Sequence, residues 1–162
     1  MNKAAVDQRL HFEDFPPGRE FALGPLEVSA EEIVTFAAEF DPQPMHLEED
    51  SGKASLLGGL AASGWQTCGM TMRMMADAYI LKSSAQGAPK VDYVRWKRPV
   101  LAGDVLSGVS RVISARPLKS KPGLGIVQFV HELYNQRGEL VCESSNPTFF
   151  GMREKVETDE RT

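Results

Sequence analysis

The sequence contains few cysteines and no long apolar run. Its two cysteines, Cys68 and Cys142, do not form a CxxC pair, which favours reduced thiols in a cytoplasmic protein over a secreted disulfide framework. No segment approaches the roughly 18 uninterrupted apolar residues of a membrane helix, and residues 1–15 contain no run of signal-peptide length. We therefore expect a soluble, cytoplasmic protein without a membrane partner.

The sequence also lacks an excess of positive charge. It has 18 Lys and Arg against 22 Asp and Glu, a formal net charge of −4, so no overall field attracts nucleic acid and we expect no nucleic-acid partner. Gly123-Leu124-Gly125 lacks the third glycine of a dinucleotide site, and no GxSxG or zinc motif is present. We expect no cofactor and no metal, since a hydrated helix start accounts for the acids that follow His46.

Length and composition predict one globular domain. The 162 residues are 42% hydrophobic, which provides enough apolar material for a single core. We place the domain at residues 12–150. Residues 1–11 are then an N-terminal extension, and residues 151–162 are a charged, aperiodic tail.

Local patterns predict an α+β order. Ser29-Ala30-Glu31-Glu32 is a capping box, and apolar residues at helical spacing extend the predicted helix to Asp41. The longest helix is predicted after residue 64, with a buried stripe that consists of Trp65, Cys68, Met72, Met75, Ala76, Tyr79 and Ile80.

At least four strands are predicted after this helix. Their segments are VDYVRW, VLSGVSRVISA, IVQFVHELYNQ and ELVCESS, and the short Gly- and Pro-containing connections indicate an antiparallel meander. The segment Val91–Trp96 has no proline until Pro99, so it is poorly protected at a sheet edge. We expect a homodimer formed by edge pairing of two sheets.

The segment FDPQPMH places a carboxylate and an imidazole close together. Asp41 and His46 are separated by Pro42 and Pro44, which restrict the backbone to few conformations. Asp-Pro commonly ends a helix and starts a loop, which would leave His46 on the surface. The alternative is that the stiff segment aims an acid and a base at one site.

The same segment resembles a known family. Asp41-Pro42-Gln43-Pro44-Met45-His46 is similar to the Asp-x-Asn-Pro-x-His signature of MaoC-like (R)-specific enoyl-CoA hydratases and acyl dehydratases. The runs 58–64 (GGLAASG) and 98–104 (RPVLAGD) resemble that family's small-residue stretch before the central helix and its turn between strands. The resemblance implies a hot-dog fold, in which an antiparallel sheet wraps around one long helix, and a homodimer or dimer of dimers.

The resemblance also implies an activity. The expected reaction is reversible hydration of an enoyl thioester, carried by CoA or a carrier protein, with Asp41 as the base and His46 as its partner. The backbone N–H of Gly64 would bind the thioester oxygen. Gln43 replaces the family's asparagine and Ser63 a frequent histidine, so both are candidate substrate contacts, with Ser63 also the predicted helix N-cap.

Two other functions remain open. A hot-dog thioesterase would use a similar carboxylate and helix N-terminus, and a non-catalytic module would bind acyl thioesters without turnover. Two basic groups are candidates for contact with CoA phosphates or are simply surface charge: Arg95, Lys97 and Arg98, and Arg116, Lys119 and Lys121. His11 and His131 have no partner in the sequence and are predicted to be structural or exposed.

Overall fold

The computed structural model describes residues 7–154, which form one five-stranded antiparallel sheet and three helices. The strands are β1 (Glu20–Glu27), β2 (Tyr93–Trp96), β3 (Val105–Pro117), β4 (Leu124–Tyr134) and β5 (Leu140–Gly151). The helices are α1 (Ala30–Phe40), α2 (Glu49–Ala54) and α3 (Gly64–Ala78), with 3₁₀ turns at Phe12–Asp14, Pro44–His46 and Ile80–Lys82. The predicted α+β class is confirmed.

The strand order is β1-β3-β4-β5-β2. The predicted meander is correct for β3, β4 and β5, but β2 pairs with β5 and not with β3. Two short strands at the ends of the sheet differ from expectation. The N-terminal part was expected to be helical, yet it contributes β1, whose pattern is obscured by Gly24 at φ +79° and a register shift between Leu23 and Leu26.

Helix α3 lies against one face of the sheet, and its buried side overlaps the predicted stripe only in part. Met75 and Tyr79 are buried as predicted, and Met70 and Met74 are buried as well, whereas Trp65 and Met72 are 65% and 46% exposed. Methionines occur on both sides of the helix, so periodicity alone did not identify the face that packs on the sheet.

Four aromatic rings hold α3 to the sheet. Phe15 stacks on Phe150 with ring centroids 4.1 Å apart, and Tyr79, at the end of α3, stacks on Phe129 of β4 at 5.4 Å. All four are fully buried, and side chains of this size dominate the energy of a core. This cluster fixes one end of α3 and leaves its N-terminal end at the candidate site.

The ends of the described chain remain in contact with the domain. Leu10 bridges Ser83, and Arg153 contacts Asp14 at 2.6 Å. Most of the predicted tail, residues 155–162, and residues 1–6 of the predicted extension lie outside the described residues. Between residues 7 and 154, none of the helices has the length and apolarity needed to cross a membrane.

Candidate active site

The segment that carries Asp41 and His46 is held at both ends. Helix α1 starts with the predicted cap, where Ser29 Oγ accepts a hydrogen bond from the Glu32 N–H at 3.0 Å, and it ends where the Asp41 N–H bonds to a carbonyl of the last turn. Gln43 is extended, and Pro44 then starts a 3₁₀ turn that ends at His46. This path turns both candidate side chains in the same direction.

Asp41 and His46 meet in a partly buried position. His46 Nε2 lies 3.5 Å from Asp41 Oδ2, and His46 is only 5% exposed. His46 Nδ1 lies 2.7 Å from the carbonyl oxygen of Ala61. Because a carbonyl only accepts, Nδ1 must carry a hydrogen, and Nε2 is left facing the carboxylate. The pair is well placed to share a proton or a water molecule.

Two further donors orient the Asp41 carboxylate. Gln43 Nε2 donates to Oδ1 at 2.7 Å and Ser63 Oγ donates to Oδ2 at 2.7 Å. These hydrogen bonds, that of Gln43 first, lower the pKa of Asp41 below its usual value. The residues that depart from the family signature, Gln43 and Ser63, therefore both contact the carboxylate.

The N-terminus of α3 adjoins this carboxylate. Ser63 is the N-cap, as predicted, and its Oγ accepts from the Trp65 N–H at 3.3 Å. Gly64 follows as the first helical residue, and the first N–H groups of a helix have no partner within it. The Gly64 carbonyl accepts a hydrogen bond from Trp96 Nε1 at 3.0 Å. A Cβ at position 64 would lie 2.6 Å from the Trp96 ring, so the glycine also permits this contact.

The loop before α3 is anchored on α2. Gly52 allows the backbone of Gly59 to approach so closely that a Cβ would overlap its carbonyl. Glu49 Oε2 accepts from the Leu60 N–H at 3.2 Å, which gives this acidic residue a structural task. The Ala61 carbonyl that orients His46 follows directly along the chain. Between residues 7 and 154, no group of three or more His, Cys, Asp or Glu side chains is arranged to hold a metal ion.

The Asp41 and His46 side chains and the start of α3 line one pocket of about 390 Å³. All five predicted site residues, Asp41, Gln43, His46, Ser63 and Gly64, contribute to it. Lys97 and Arg98 also line it, and Arg98 pairs with Glu139 at 3.1 Å. Arg95 is outside the pocket and pairs with Glu143, and the second basic group lies elsewhere. Trp96 is the main lining residue that the sequence did not indicate, because it occurs within an ordinary strand pattern.

The other histidines are buried, and both have partners. His131 hydrogen-bonds Ser110 at 2.7 Å and Asn146 at 2.9 Å, and burial lowers its pKa to about 4. His11 is 7% exposed, with Nε2 3.3 Å from Asp7. Neither lies in the pocket of Asp41.

The sequence and the fold match known proteins. Residues 13–131 match the family model of the MaoC-like domain. A MaoC-like dehydratase from Rhodospirillum rubrum is 36% identical, with a TM-score of 0.83 and coverage of 90% of this chain and 99% of its own. The uncharacterized protein YdeM of Bacillus subtilis is 28% identical over 83% of this chain and 94% of its own length.

A more distant structure matches in fold. RV0216 of Mycobacterium tuberculosis, which has a double hot-dog fold, aligns with a TM-score of 0.80 at 15% identity, over 93% of this chain and 47% of its own. The expected hot-dog fold is therefore confirmed, with α3 as the central helix. With most of its length covered by the family model, this chain belongs to the MaoC-like domain family.

Proposed function

We propose that the protein is a hydro-lyase that interconverts 2-enoyl and 3-hydroxyacyl thioesters. The observation that carries the proposal is the convergence of Asp41 and His46, 3.5 Å apart, beside the first turn of α3. Hydration needs a proton acceptor for water, a proton donor for the α-carbon and a stabilising group for the thioester oxygen. One pocket offers candidates for all three.

Asp41 and His46 would hold the attacking water between them. Both Asp41 Oδ2 and the unprotonated His46 Nε2 accept hydrogen bonds, so a water that donates to both turns a lone pair toward the β-carbon. As the C–O bond forms, one O–H bond of the water breaks and its proton passes to Nε2. The same proton then goes to the α-carbon, which completes the addition.

This assignment gives the base role to His46, whereas the sequence-based hypothesis gave it to Asp41. The two hydrogen bonds that lower the pKa of Asp41 make its carboxylate a poorer proton acceptor. The same carboxylate remains charged at neutral pH and stabilises the imidazolium that forms beside it. Together the two groups act as one acid–base unit.

Gly64 would stabilise the negative charge on the thioester oxygen. Its N–H stands at the N-terminus of α3, where the helix dipole favours negative charge. The hydrogen bond from Trp96 to the Gly64 carbonyl fixes the orientation of the same residue.

Lys97 and Arg98 favour a CoA thioester. They are exposed, border the mouth of the pocket and follow β2 directly, so they are suited to contact CoA phosphates. A carrier protein is the alternative carrier, with its phosphopantetheine at the same mouth. We place the reaction in the cytoplasm, because Cys68 and Cys142 are both free thiols.

The active form would be a homodimer, alone or paired into a dimer of dimers. Strand β2 lies at the edge of the sheet, and exposed apolar side chains gather beside it, namely Trp65, Met72, Val91 and Trp96. An unpaired edge next to an apolar patch favours pairing with a second copy. Two α3 helices would then lie on one side of a continuous sheet.

Asp41→Asn tests the proposal. The amide keeps the shape and size of the side chain but not its charge, so kcat for hydration of 2-enoyl-CoA should fall by roughly 10²–10⁴-fold. Asp50→Asn is the charge-matched control, since Asp50 is exposed on α2 and should leave the rate unchanged. Both variants should melt near the wild-type temperature.

Two results would replace the proposal. Release of free thiol from a saturated acyl-CoA, lost in Asp41→Asn, would identify a thioesterase. Tight binding of thioesters without turnover of any enoyl substrate would identify a binding module.

A further inference from the structure

A second cavity adjoins the pocket of Asp41. Its volume is about 740 Å³, and it lies between α3 and the strands β2 and β5. The two spaces share Trp65 and Trp96 as walls, whose rings meet edge to face with centroids 5.4 Å apart. Since Trp96 is hydrogen-bonded to the Gly64 carbonyl, the cavity begins beside the proposed binding site of the thioester oxygen.

The two sides of this cavity differ in chemistry. Helix α3 contributes apolar side chains, including Met72 and Met75, whereas β5 contributes Ser144, Asn146 and Thr148. Because alternate residues of a strand share a face, these three positions occupy the layer where a sheet normally supplies core residues. Buried polar groups are costly without partners, so a polar wall at this depth requires an explanation.

Most of the polar wall belongs to one hydrogen-bonded chain. The Tyr79 hydroxyl donates to Ser110 Oγ at 3.3 Å, and Ser110 in turn donates to His131 Nδ1 at 2.7 Å. His131 Nε2 then donates to Asn146 Oδ1 at 2.9 Å, and the Asn146 amide donates to Thr148 Oγ1 at 3.2 Å. These hydrogen bonds all run in the same direction, from Tyr79 to Thr148. The Thr148 hydroxyl accepts the last of them, so its own hydrogen is still available for donation.

A second hydroxyl faces the same space. Ser144 Oγ also lines the cavity, and none of the hydrogen bonds among residues 7–154 uses it. The lining formed by these residues includes no Lys, Arg, Asp or Glu, and burial, which lowers the pKa of His131 to about 4, keeps that ring neutral at neutral pH. A carboxylate would therefore lose water here and find no opposite charge, whereas an uncharged oxygen would receive a hydrogen bond from one of the two hydroxyls, which lie four residues, or about 13 Å, apart along β5.

We propose that this cavity receives the acyl chain and that Ser144 and Thr148 select chains with an uncharged oxygen substituent, a hydroxyl or a keto group, beyond the reacting carbons. Met75, the buried methionine of this wall, contacts the methylene groups on the opposite side. The inference rests on the proposed hydration at Asp41 and His46, whose pocket the cavity extends.

The test uses 2-enoyl-CoA substrates in sets of equal chain length, each set with an unsubstituted, a hydroxylated, a keto and a terminally carboxylated member. At the best length, kcat/KM should be about tenfold higher for the hydroxylated or keto chain than for the unsubstituted one, the effect of one hydrogen bond. The carboxylated chain should be the poorest. Ser144→Ala should remove most of the preference for chains whose substituent reaches Ser144, and Thr148→Val most of the preference for chains whose substituent reaches Thr148.

Ser107→Ala is the matched control. Ser107 is exposed on β3 outside this cavity, so the variant should keep the wild-type preference. Circular dichroism and melting temperature distinguish a lost substrate preference from a lost fold. The two cavity variants test the role of the cavity independently of each other.

Three outcomes decide the matter. Equal kcat/KM for all uncharged chains, unaffected by the variants, overturns the inference while leaving the hydratase proposal intact. If wild type hydrates none of the substrates, the hydratase proposal fails, and calorimetry with the saturated thioesters decides the cavity assignment. If the oxygenated thioesters bind more tightly than the unsubstituted ones and Ser144→Ala weakens that binding, the cavity assignment is supported. If all chains bind equally, the assignment is overturned.

Discussion

The hydroxyl of Ser63 serves two neighbours at once. It donates to Asp41 Oδ2 and accepts from the Trp65 N–H, so one side chain links the Asp41 carboxylate to the start of α3. A histidine at this position would bring a second ring into the pocket, whereas serine leaves that space open and adjusts the proton affinity of Asp41.

Ser63→Ala should change the pH dependence of the reaction. Loss of one of the two donors raises the pKa of Asp41 toward its usual value. The Asp41/His46 unit then takes up its inactivating proton at higher pH, so the acid limb of kcat/KM should shift upward by up to about one pH unit.

Ser29→Ala provides the control for this shift. Ser29 caps α1 through the Glu32 N–H and has no contact with Asp41. Both variants should lose about 1 kcal/mol of stability as cap losses do, but only Ser63→Ala should move the acid limb. A shift of equal size in both variants would refute the role assigned to Ser63.

His131 should make the protein less stable in acid. Its pKa is about 4 in the fold against 6.5 as the ordinary value, so between these pH values the unfolded chain binds a proton that the folded chain does not. Stability should therefore fall as pH decreases through this window, by about 3 kcal/mol from His131 alone. Urea denaturation of wild type and His131→Gln from pH 7 to pH 4 measures this loss of stability. If the free energies of unfolding of the two proteins changed in parallel with pH, the prediction would be contradicted.

At the scale of elements, the contact of α2 with the loop before α3 sets the position of the site. Gly52 lies against the backbone of Gly59 and Leu60, and the next residue, Ala61, orients His46 through its carbonyl. A helix of six residues therefore positions the imidazole without lining the pocket of Asp41.

Gly52→Ala should lower both stability and activity. The new Cβ overlaps backbone atoms that cannot rotate away, so the loop must shift, at a cost of roughly 1–3 kcal/mol. Displacement of the Ala61 carbonyl should also reduce kcat. Gly69→Ala is the control, because nothing lies within 4 Å of its Cβ and alanine favours a helix by roughly 0.5–1 kcal/mol. The prediction fails if the two variants have the same melting temperature and kcat.

The elements differ in how well the sequence predicts them. The start of α1, the N-cap of α3 and the meander of β3 to β5 follow from local rules, and each was predicted correctly. The pairing of β2 with β5 was not predictable, because which strand covers the free edge of a meander depends on long-range packing. The buried face of α3 was assigned only in part for a similar reason: Met75 was predicted to be buried and is, but Met72 is exposed, since the sheet decides which methionines are covered.

The predicted site residues were brought into one pocket, but the polar wall of the second cavity was missed. Ser144, Asn146 and Thr148 alternate along β5, but the predicted strand ended at Ser145, and alternating polar residues are in any case typical of the solvent face of a sheet. Only the position of α3 reveals that this face is the inner one.

At the scale of the whole molecule, the free edge of β2 and the exposed side of α3 lie next to each other. Light scattering at micromolar concentration should therefore give at least twice the 17.8 kDa chain mass. Met72→Lys places a charge on the exposed side of α3 and should shift the protein toward the monomer. Ile113→Lys is the control, because Ile113 is on β3 and similarly exposed, at 48% against 46%. A wild-type mass of one chain would rule out the dimer.

The pair of indoles that separates the two cavities has a spectroscopic consequence. Trp65 and Trp96 are the only tryptophans of the chain, and both border the proposed substrate path. The ultraviolet emission of the protein excited at the red edge of its absorption therefore originates entirely at the site. A saturated acyl thioester that displaces water from these rings should shift that emission to shorter wavelength, so a titration in an ordinary fluorimeter reports occupancy without label, coupled assay or turnover.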